Sequence, residues 1–222
     1  MAHIDRTTTT FGEAAAIIAI CFGWPIMVST LSVVRGFQNV AFTDAGFIGL
    51  MVMEAVFAAI ALLILRVRKY SIFSLYPAPS LRGAGLAVLL FIASWLVSFV
   101  LVTFFATTGQ PEQPISKMME TASVSLPTLV LTALVNGAYE EIFLLGFLLR
   151  GLRGYGLSVA LGISLLVRVL YHLYQGPLGA VSVLGFGLVL SIYYIRTGSL
   201  FPAVFAHVLA DIVPFIIQSM SI

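Results

Sequence analysis

Seven ionisable side chains lie inside long apolar stretches of this sequence, where a charged group is costly and is therefore a functional candidate by default. They are Glu54, Glu140, Glu141, Arg168, His172, His207 and Asp211. All but Glu54 lie in the C-terminal half of the chain. We therefore expect the first half to supply a scaffold or a lipid-facing wall, and the second half to carry the chemistry.

The adjacent carboxyl groups of Glu140 and Glu141 are the first candidates for catalysis. Neighbouring residues on an α-helix point about 100° apart, so the pair is not expected to face one spot. One carboxylate would then do chemistry while the other takes a structural partner. A carboxylate in a dry environment suits a general base that acts on water. The alternative for one of the two is a buried carboxylate neutralised by an arginine.

The two histidines are each paired with another ionisable residue four positions away. Arg168 precedes His172 by four residues and His207 precedes Asp211 by four, so each pair is expected to share one helix face. Two histidines and a carboxylate can bind a divalent metal such as zinc, here through His172, His207 and Glu140. The same imidazoles can instead polarise a substrate carbonyl directly, and the sequence leaves both possibilities open.

The composition identifies the setting of these residues. The chain has 222 residues, of which 60% are hydrophobic and 9% charged, whereas a soluble domain has roughly 25% charged residues. This excludes an ordinary water-soluble enzyme and indicates an integral membrane protein. The net charge of +2 is too small and too scattered for nucleic-acid binding. The single cysteine, Cys21, provides neither a disulfide nor a thiolate metal site.

The hydropathy pattern predicts an all-α, polytopic transmembrane helical bundle with about seven spans, and an eighth is compatible with it. The predicted spans are 12–34, 45–65, 84–106, 125–149, 157–174, 178–195 and 199–218. The longest connections, 66–83 and 107–124, are too short for a soluble domain. We therefore expect one membrane domain over residues 1–222, with close helix packing where Gly and Ser are dense, between Gly176 and Pro214.

The distribution of basic residues predicts the orientation in the cell membrane. Basic residues in connections on one side are Arg6, Arg66, Arg68, Lys69, Arg82, Arg150, Arg153 and Arg196. The other side has only Arg35 and Lys117. The N-terminus is therefore predicted to be cytoplasmic and the C-terminus outside.

The C-terminal half resembles the CAAX protease and bacteriocin-processing family, the Abi-type intramembrane proteases. Members carry Glu-Glu-x-x-x-Arg, then Phe-x-x-x-His, then His-x-x-x-Asn or His-x-x-x-Asp on successive helices. The matching stretches here begin at Glu140, at Arg168 and at His207, and the resemblance covers a predicted catalytic core at about 125–215. Each motif is weak by itself, and their order and placement on membrane helices make the combination specific.

The resemblance implies an intramembrane endopeptidase that cuts membrane-associated or lipidated peptides, as in CAAX-type or bacteriocin and pheromone processing. Glu140 would activate water. His172 and His207 would bind a metal or stabilise the oxyanion, and Asp211 would orient its neighbour. The implied partners are a peptide or protein substrate and the lipid bilayer. Asn136 is grouped with Glu141 and Arg168 as structural or substrate-positioning residues.

This sequence departs from the family pattern at two positions. Leu145 stands where the family has arginine, and Arg168 stands where it has phenylalanine. We infer that the guanidinium has moved from one helix to its neighbour and still meets Glu141. Two other functions remain open: a non-catalytic bacteriocin-immunity or scaffold protein on the same fold, and a proton-coupled transporter whose buried carboxylates and histidines form a relay.

Overall fold

The computed structural model describes residues 6–37, 40–107 and 111–220, which fold almost entirely into helices. The α-helices are α1 (Phe11–Val34), α2 (Asp44–Val67), α3 (Leu81–Phe105), α4 (Pro114–Glu120), α5 (Leu126–Glu141), α6 (Leu157–Tyr171), α7 (Pro177–Thr197) and α8 (Phe201–Met220). α5 continues into a π-helical segment, Ile142–Leu149, and short 3₁₀ turns occupy Ile72–Leu75, Arg153–Tyr155 and Leu173–Gln175. The all-α class is confirmed.

Six helices in the described part of the chain are long and apolar enough to cross a membrane, which supports a multi-pass membrane protein. The exception among the predicted spans is 157–174, because α6 has only 15 residues and ends at Tyr171. A 3₁₀ turn follows, Gly176 adopts a φ of 91°, and Pro177 begins α7. A positive φ is easy only for glycine, and proline is favoured in the first helical turn, so this short sequence ends one helix and starts the next.

The segment formed by α5 and its π-helical continuation is the central element of the fold. About 61% of its most apolar window is buried, against 17–33% for the other five long helices. Every residue of Phe143–Leu149 is buried. The Ser164 hydroxyl of α6 donates to the Leu144 carbonyl at 3.0 Å, within the π-helical turns. π-helical turns are rare and occur frequently at functional sites, and this one directly follows the glutamate pair.

Small residues allow the other helices to approach closely. α5 packs against α8 and α2, and α7 packs against α3. A Cβ on Gly137 would lie 3.2 Å from the Val208 backbone nitrogen, so this glycine brings α5 against α8 beside His207. A Cβ on Gly185 would lie 3.1 Å from the Ser98 Cα, which agrees with the close packing expected for the Gly-rich segment.

The connection that contains α4 is fixed across one end of the bundle. The Gln113 side-chain oxygen accepts a hydrogen bond from the Leu178 backbone at 3.0 Å, and the Asp44 carboxylate accepts one from the Ser125 backbone at 2.8 Å. Ile115 and Met119 of this connection line the internal cavity described below. The sequence suggested only a short polar loop here, because seven residues of helix are too few to give a periodic signal.

Candidate active site

A cavity of about 440 Å³ lies between the helices and contains most of the predicted site residues. Those that line it are Asn136, Glu140, Arg168, His172, His207 and Asp211. Much of the remaining wall is apolar or aromatic, for example Phe22, Phe91, Trp95 and Phe186. Ligand sites typically combine such an apolar wall with a few converging polar groups, so this cavity is the candidate active site.

Glu141, which lies behind the cavity wall, forms a buried ion pair with Arg168. Both Glu141 carboxylate oxygens accept from Arg168 Nη2 at 2.8 Å, and the two side chains are 0% and 1% exposed. The predicted contact between the Arg168 guanidinium and the Glu141 carboxylate is therefore confirmed. Leu145, where the family carries arginine, is fully buried in the π-helical segment.

The α7 helix leaves room for this arginine. A Cβ on Gly187 would lie 2.7 Å from Arg168 Cδ, which no relaxed structure tolerates. The neighbouring Phe186 ring has its centroid 5.6 Å from Arg168 Cζ, a cation–π distance, and packs edge-on against His207. Gly187 therefore makes room for the Arg168 side chain, and Phe186 packs against both Arg168 and His207.

Glu140 is the carboxylate that faces the cavity. It accepts a hydrogen bond from the Tyr171 hydroxyl, and its Oε2 lies 3.6 Å from Arg168 Nη1 and 3.7 Å from His207 Nε2. We expected the side chains of Glu140 and Glu141 to point to different places. This expectation is wrong, because both carboxylates lie close to Arg168 and His207. Glutamate side chains are long enough to converge from neighbouring positions, although only Glu140 lines the cavity.

His207 is held by carboxylates at both ring nitrogens. Its Nδ1 lies 2.6 Å from Glu141 Oε1, and its Nε2 lies 3.6 Å from Asp211 Oδ1. Asp211 is held in turn by Asn136, whose side-chain amide donates to Asp211 Oδ2 at 3.0 Å. An imidazole with an acceptor at each nitrogen can donate from both when protonated. The structure thus gathers Asn136, Asp211 and His207 into one chain of contacts.

His172 occupies a different position from the one expected. It caps the C-terminus of α6 instead of lying within the helix, and its Nδ1 lies 2.9 Å from the Arg168 carbonyl oxygen. A carbonyl can only accept, so Nδ1 carries the proton and Nε2 of a neutral ring is left as an acceptor. The two imidazoles are therefore suited to opposite tasks, acceptance at His172 and donation at His207.

One group of potential metal ligands occurs among the described residues, and it differs from the predicted set. Glu140, Glu141 and His207 offer ligand atoms within 4.8 Å of one another, and His172 is not part of this group. Two of the three are already engaged, because Glu141 accepts from Arg168 and from His207 Nδ1. A cation here would also lie beside the Arg168 guanidinium, whose Nη1 is 3.6 Å from Glu140.

Tyr171 is a site residue that sequence reasoning missed. Its hydroxyl contacts Glu140, and its ring stacks on Phe22 with centroids 5.1 Å apart. Its position directly before His172 is the only signal in the sequence, since a tyrosine in an apolar helix is usually a packing residue.

Glu54 of α2 was expected to belong to the scaffold, yet it lines the same cavity.

Comparison with known families is consistent with this geometry. The model of a family described as Type II CAAX prenyl endopeptidase Rce1-like matches residues 122–213. This part of the chain, the Rce1-like segment, is similar to that family. The Rce1-like segment contains the glutamate pair, both motif histidines, Arg168 and Asp211, so the family resemblance is confirmed. No curated protein and no solved structure matches the chain.

The Rce1-like match and the membrane-spanning helices together support a membrane protease. The helices that precede residue 122 lie outside the match and still contribute Glu54, Phe22 and Trp95 to the cavity wall. The polar cluster thus comes from the Rce1-like segment, whereas part of the chamber around it comes from α1, α2 and α3.

Proposed function

We propose that this protein is an intramembrane endopeptidase that hydrolyses a peptide bond with a water molecule activated by Glu140. The observation that carries the proposal is the position of Glu140 on the wall of an apolar cavity, with an imidazole nitrogen of His207 3.7 Å from its carboxylate. At this distance, Glu140 can take a proton from a water molecule while His207 donates a hydrogen bond to the oxygen of the peptide carbonyl that the water attacks.

In the proposed reaction, the Glu140 carboxylate takes a proton from water while the water oxygen attacks the peptide carbonyl carbon. The electron pair of the carbonyl moves to its oxygen, and His207 donates to this oxyanion from Nε2. Collapse of the tetrahedral intermediate breaks the C–N bond, and the proton held by Glu140 passes to the departing amine nitrogen. The Nε2 of a neutral His172 can accept a hydrogen bond from the attacking water.

The remaining polar residues position these groups. The Glu141–Arg168 pair orients His207 through the 2.6 Å contact to Nδ1 and places positive charge near Glu140. Asn136 and Asp211 hold the other side of the same imidazole. The Tyr171 hydroxyl holds the Glu140 carboxylate in one rotamer, so that the base faces the cavity.

We infer that these residues work without a zinc ion. A catalytic zinc site needs about three protein ligands with free lone pairs and an open fourth position. In the Glu140, Glu141 and His207 group, Glu141 and one His207 nitrogen are committed to other partners, and Arg168 already compensates the carboxylate charge. The donor set therefore fits a glutamate–imidazole site better than a metal site.

The substrate class we propose is a membrane-associated or lipidated peptide. The support is the description of the matching family, a CAAX prenyl endopeptidase, and the apolar and aromatic wall of the cavity. A lipid-anchored peptide brings both an apolar chain and a scissile bond to such a chamber. An immunity or scaffold protein would need no base beside an imidazole, and a transporter would need an ion gradient.

The test compares membrane peptides from cells that carry wild-type protein or Glu140→Gln. Glutamine keeps the size and a hydrogen-bond acceptor but cannot take a proton from water, so substrate peptides should accumulate uncut. Glu120→Gln, which changes an exposed carboxylate at the end of α4, is the matched control and should behave like wild type. Identical peptide profiles for wild type and Glu140→Gln would contradict the proposal.

A further inference from the structure

Glu54 is a buried carboxyl group that the proposed reaction does not use. It lies midway along α2, is 3% exposed, and its Oε2 has no hydrogen-bond partner among the described residues. It lines the cavity on the face of α2 that packs towards α5. A buried carboxyl oxygen without a hydrogen bond is costly, so a molecule in the cavity, either water or a ligand, has to supply the missing partner of Oε2.

A second unpaired polar atom lies on the same wall. Thr132 Oγ1 of α5 is buried without a hydrogen-bond partner in the described structure, and Thr132 also lines the cavity. Thr132, Asn136 and Glu140 are spaced four residues apart, so they form a polar stripe on one face of α5. Asn136 and Glu140 have partners within the protein, whereas Thr132 and Glu54 provide polar atoms for a bound molecule.

The charges around the cavity indicate what kind of group Glu54 would bind. The acidic groups in or behind the wall are Glu54, Glu140, Glu141 and Asp211, and the groups that can be positive are Arg168, His172 and His207. The four carboxyl groups outnumber the three groups that can be positive. Arg168 and His207 are both held on Glu141, and Glu54 forms no ion pair among the described residues. A positive group on the substrate would therefore be favoured near Glu54.

We propose that Glu54 is a specificity residue that binds a basic side chain of the peptide substrate. The inference rests on the proposed function, because it assigns the substrate class of the same cavity. Glu54 lies outside residues 122–213, so this preference belongs to the chamber that α2 contributes and not to the Rce1-like polar cluster. The expected substrate is a lipidated peptide with a lysine or arginine near the bond that is cut.

Binding is measured without cleavage, in the Glu140→Gln background and in detergent. The chain has two tryptophans, of which Trp95 lines the cavity and Trp24 does not, so Trp24→Phe leaves Trp95 as the single reporter. The probes are dansylated, farnesylated octapeptides in which lysine, glutamine or glutamate is placed at each position in turn. Energy transfer from Trp95 to dansyl reports the dissociation constant.

We expect the lysine peptide to bind at least about tenfold more tightly than the glutamate peptide at one position, which corresponds to about 1.4 kcal/mol. Glu54→Gln should reduce this preference to within about twofold, and Glu54→Lys should reverse it. Glu54→Met provides a second neutral variant if the glutamine variant unfolds. Glu120→Gln, which neutralises an exposed carboxylate at the end of α4 and outside the cavity wall, should leave the preference unchanged.

The inference is overturned if no position shows a preference for lysine, or if Glu54→Gln retains it. Cleavage of the same peptides by protein with Glu140 intact tests the proposed function separately. A Glu54-dependent lysine preference without any cleavage would contradict the protease proposal and leave the binding site standing. Cleavage with no Glu54-dependent preference would contradict only the assignment of Glu54.

Discussion

Removing the Arg168 guanidinium should strand the Glu141 carboxylate inside the protein. Arg168→Met keeps an apolar side chain of similar reach in a space that is 1% exposed and removes both 2.8 Å contacts to Glu141. Breaking a buried pair by removing one partner typically costs about 3–5 kcal/mol, because the other charge is left uncompensated. Part of the loss should be recovered when Glu141→Gln is added, since a neutral amide needs no counter-ion.

The size of the effect follows from the geometry. Two unit charges about 4 Å apart interact by about 4 kcal/mol at an effective dielectric constant of 20, which agrees with the mutational range. For a chain of this size, a change of 1 kcal/mol shifts Tm by roughly 2–4 °C, so Arg168→Met should lower Tm by roughly 6–20 °C. The matched control, Arg153→Met, changes an exposed arginine and should lower it by less than about 2 °C.

The assay is thermal unfolding in detergent of wild type, Arg168→Met, Glu141→Gln and the double variant. The four values form a double-mutant cycle, and we expect a coupling of roughly 2 kcal/mol or more. Strict additivity would refute the argument that the two residues compensate one another. A control-sized effect of Arg168→Met would refute the buried ion pair itself.

Three further predictions use other parts of the structure. Gly187→Ala should destabilise the protein and reduce cleavage, because its Cβ would lie 2.7 Å from Arg168 Cδ, whereas Gly162→Ala meets nothing within 4 Å and should be silent in a Tm and activity comparison. A strong chelator should leave cleavage within about twofold of the untreated rate, and loss of activity that added metal restores would contradict the metal-free route. Reporter fusions after Ile222 should place the C-terminus outside, which requires the short helix α6 to cross the membrane together with the six longer helices, and a cytoplasmic signal would mean that α6 does not cross.

The helices were predictable because apolar length is a strong signal in a membrane protein. The predicted span 45–65 corresponds to Asp44–Val67, and 12–34 corresponds to Phe11–Val34. The contact between Arg168 and Glu141 was also predictable, since a guanidinium missing at Leu145 and present on the next helix needs the same counter-ion. Predictions from hydropathy and from charge compensation depend on whole helices, so they remain correct when the predicted bounds of a helix are wrong by a residue or two.

Details that depend on tertiary packing were not predictable. The i→i+5 hydrogen bonding of Ile142–Leu149 leaves no trace in an apolar sequence, and the Ser164 contact to Leu144 comes from another helix. The 3₁₀ turn after Tyr171 places His172 beyond the helix that was expected to carry it. Glu54 looked like an isolated residue because the sequence alone does not say which face of α2 meets the cavity.

The role of Glu140 as the general base is tested most directly by the rate at which purified protein cleaves a lipidated peptide in detergent, compared between wild type and Glu140→Gln. We predict cleavage by wild type without any ion gradient, and a loss of about three orders of magnitude or more in kcat for Glu140→Gln with its Tm within a few degrees of wild type. A folded Glu140→Gln variant that cleaves within about threefold of wild type would contradict it.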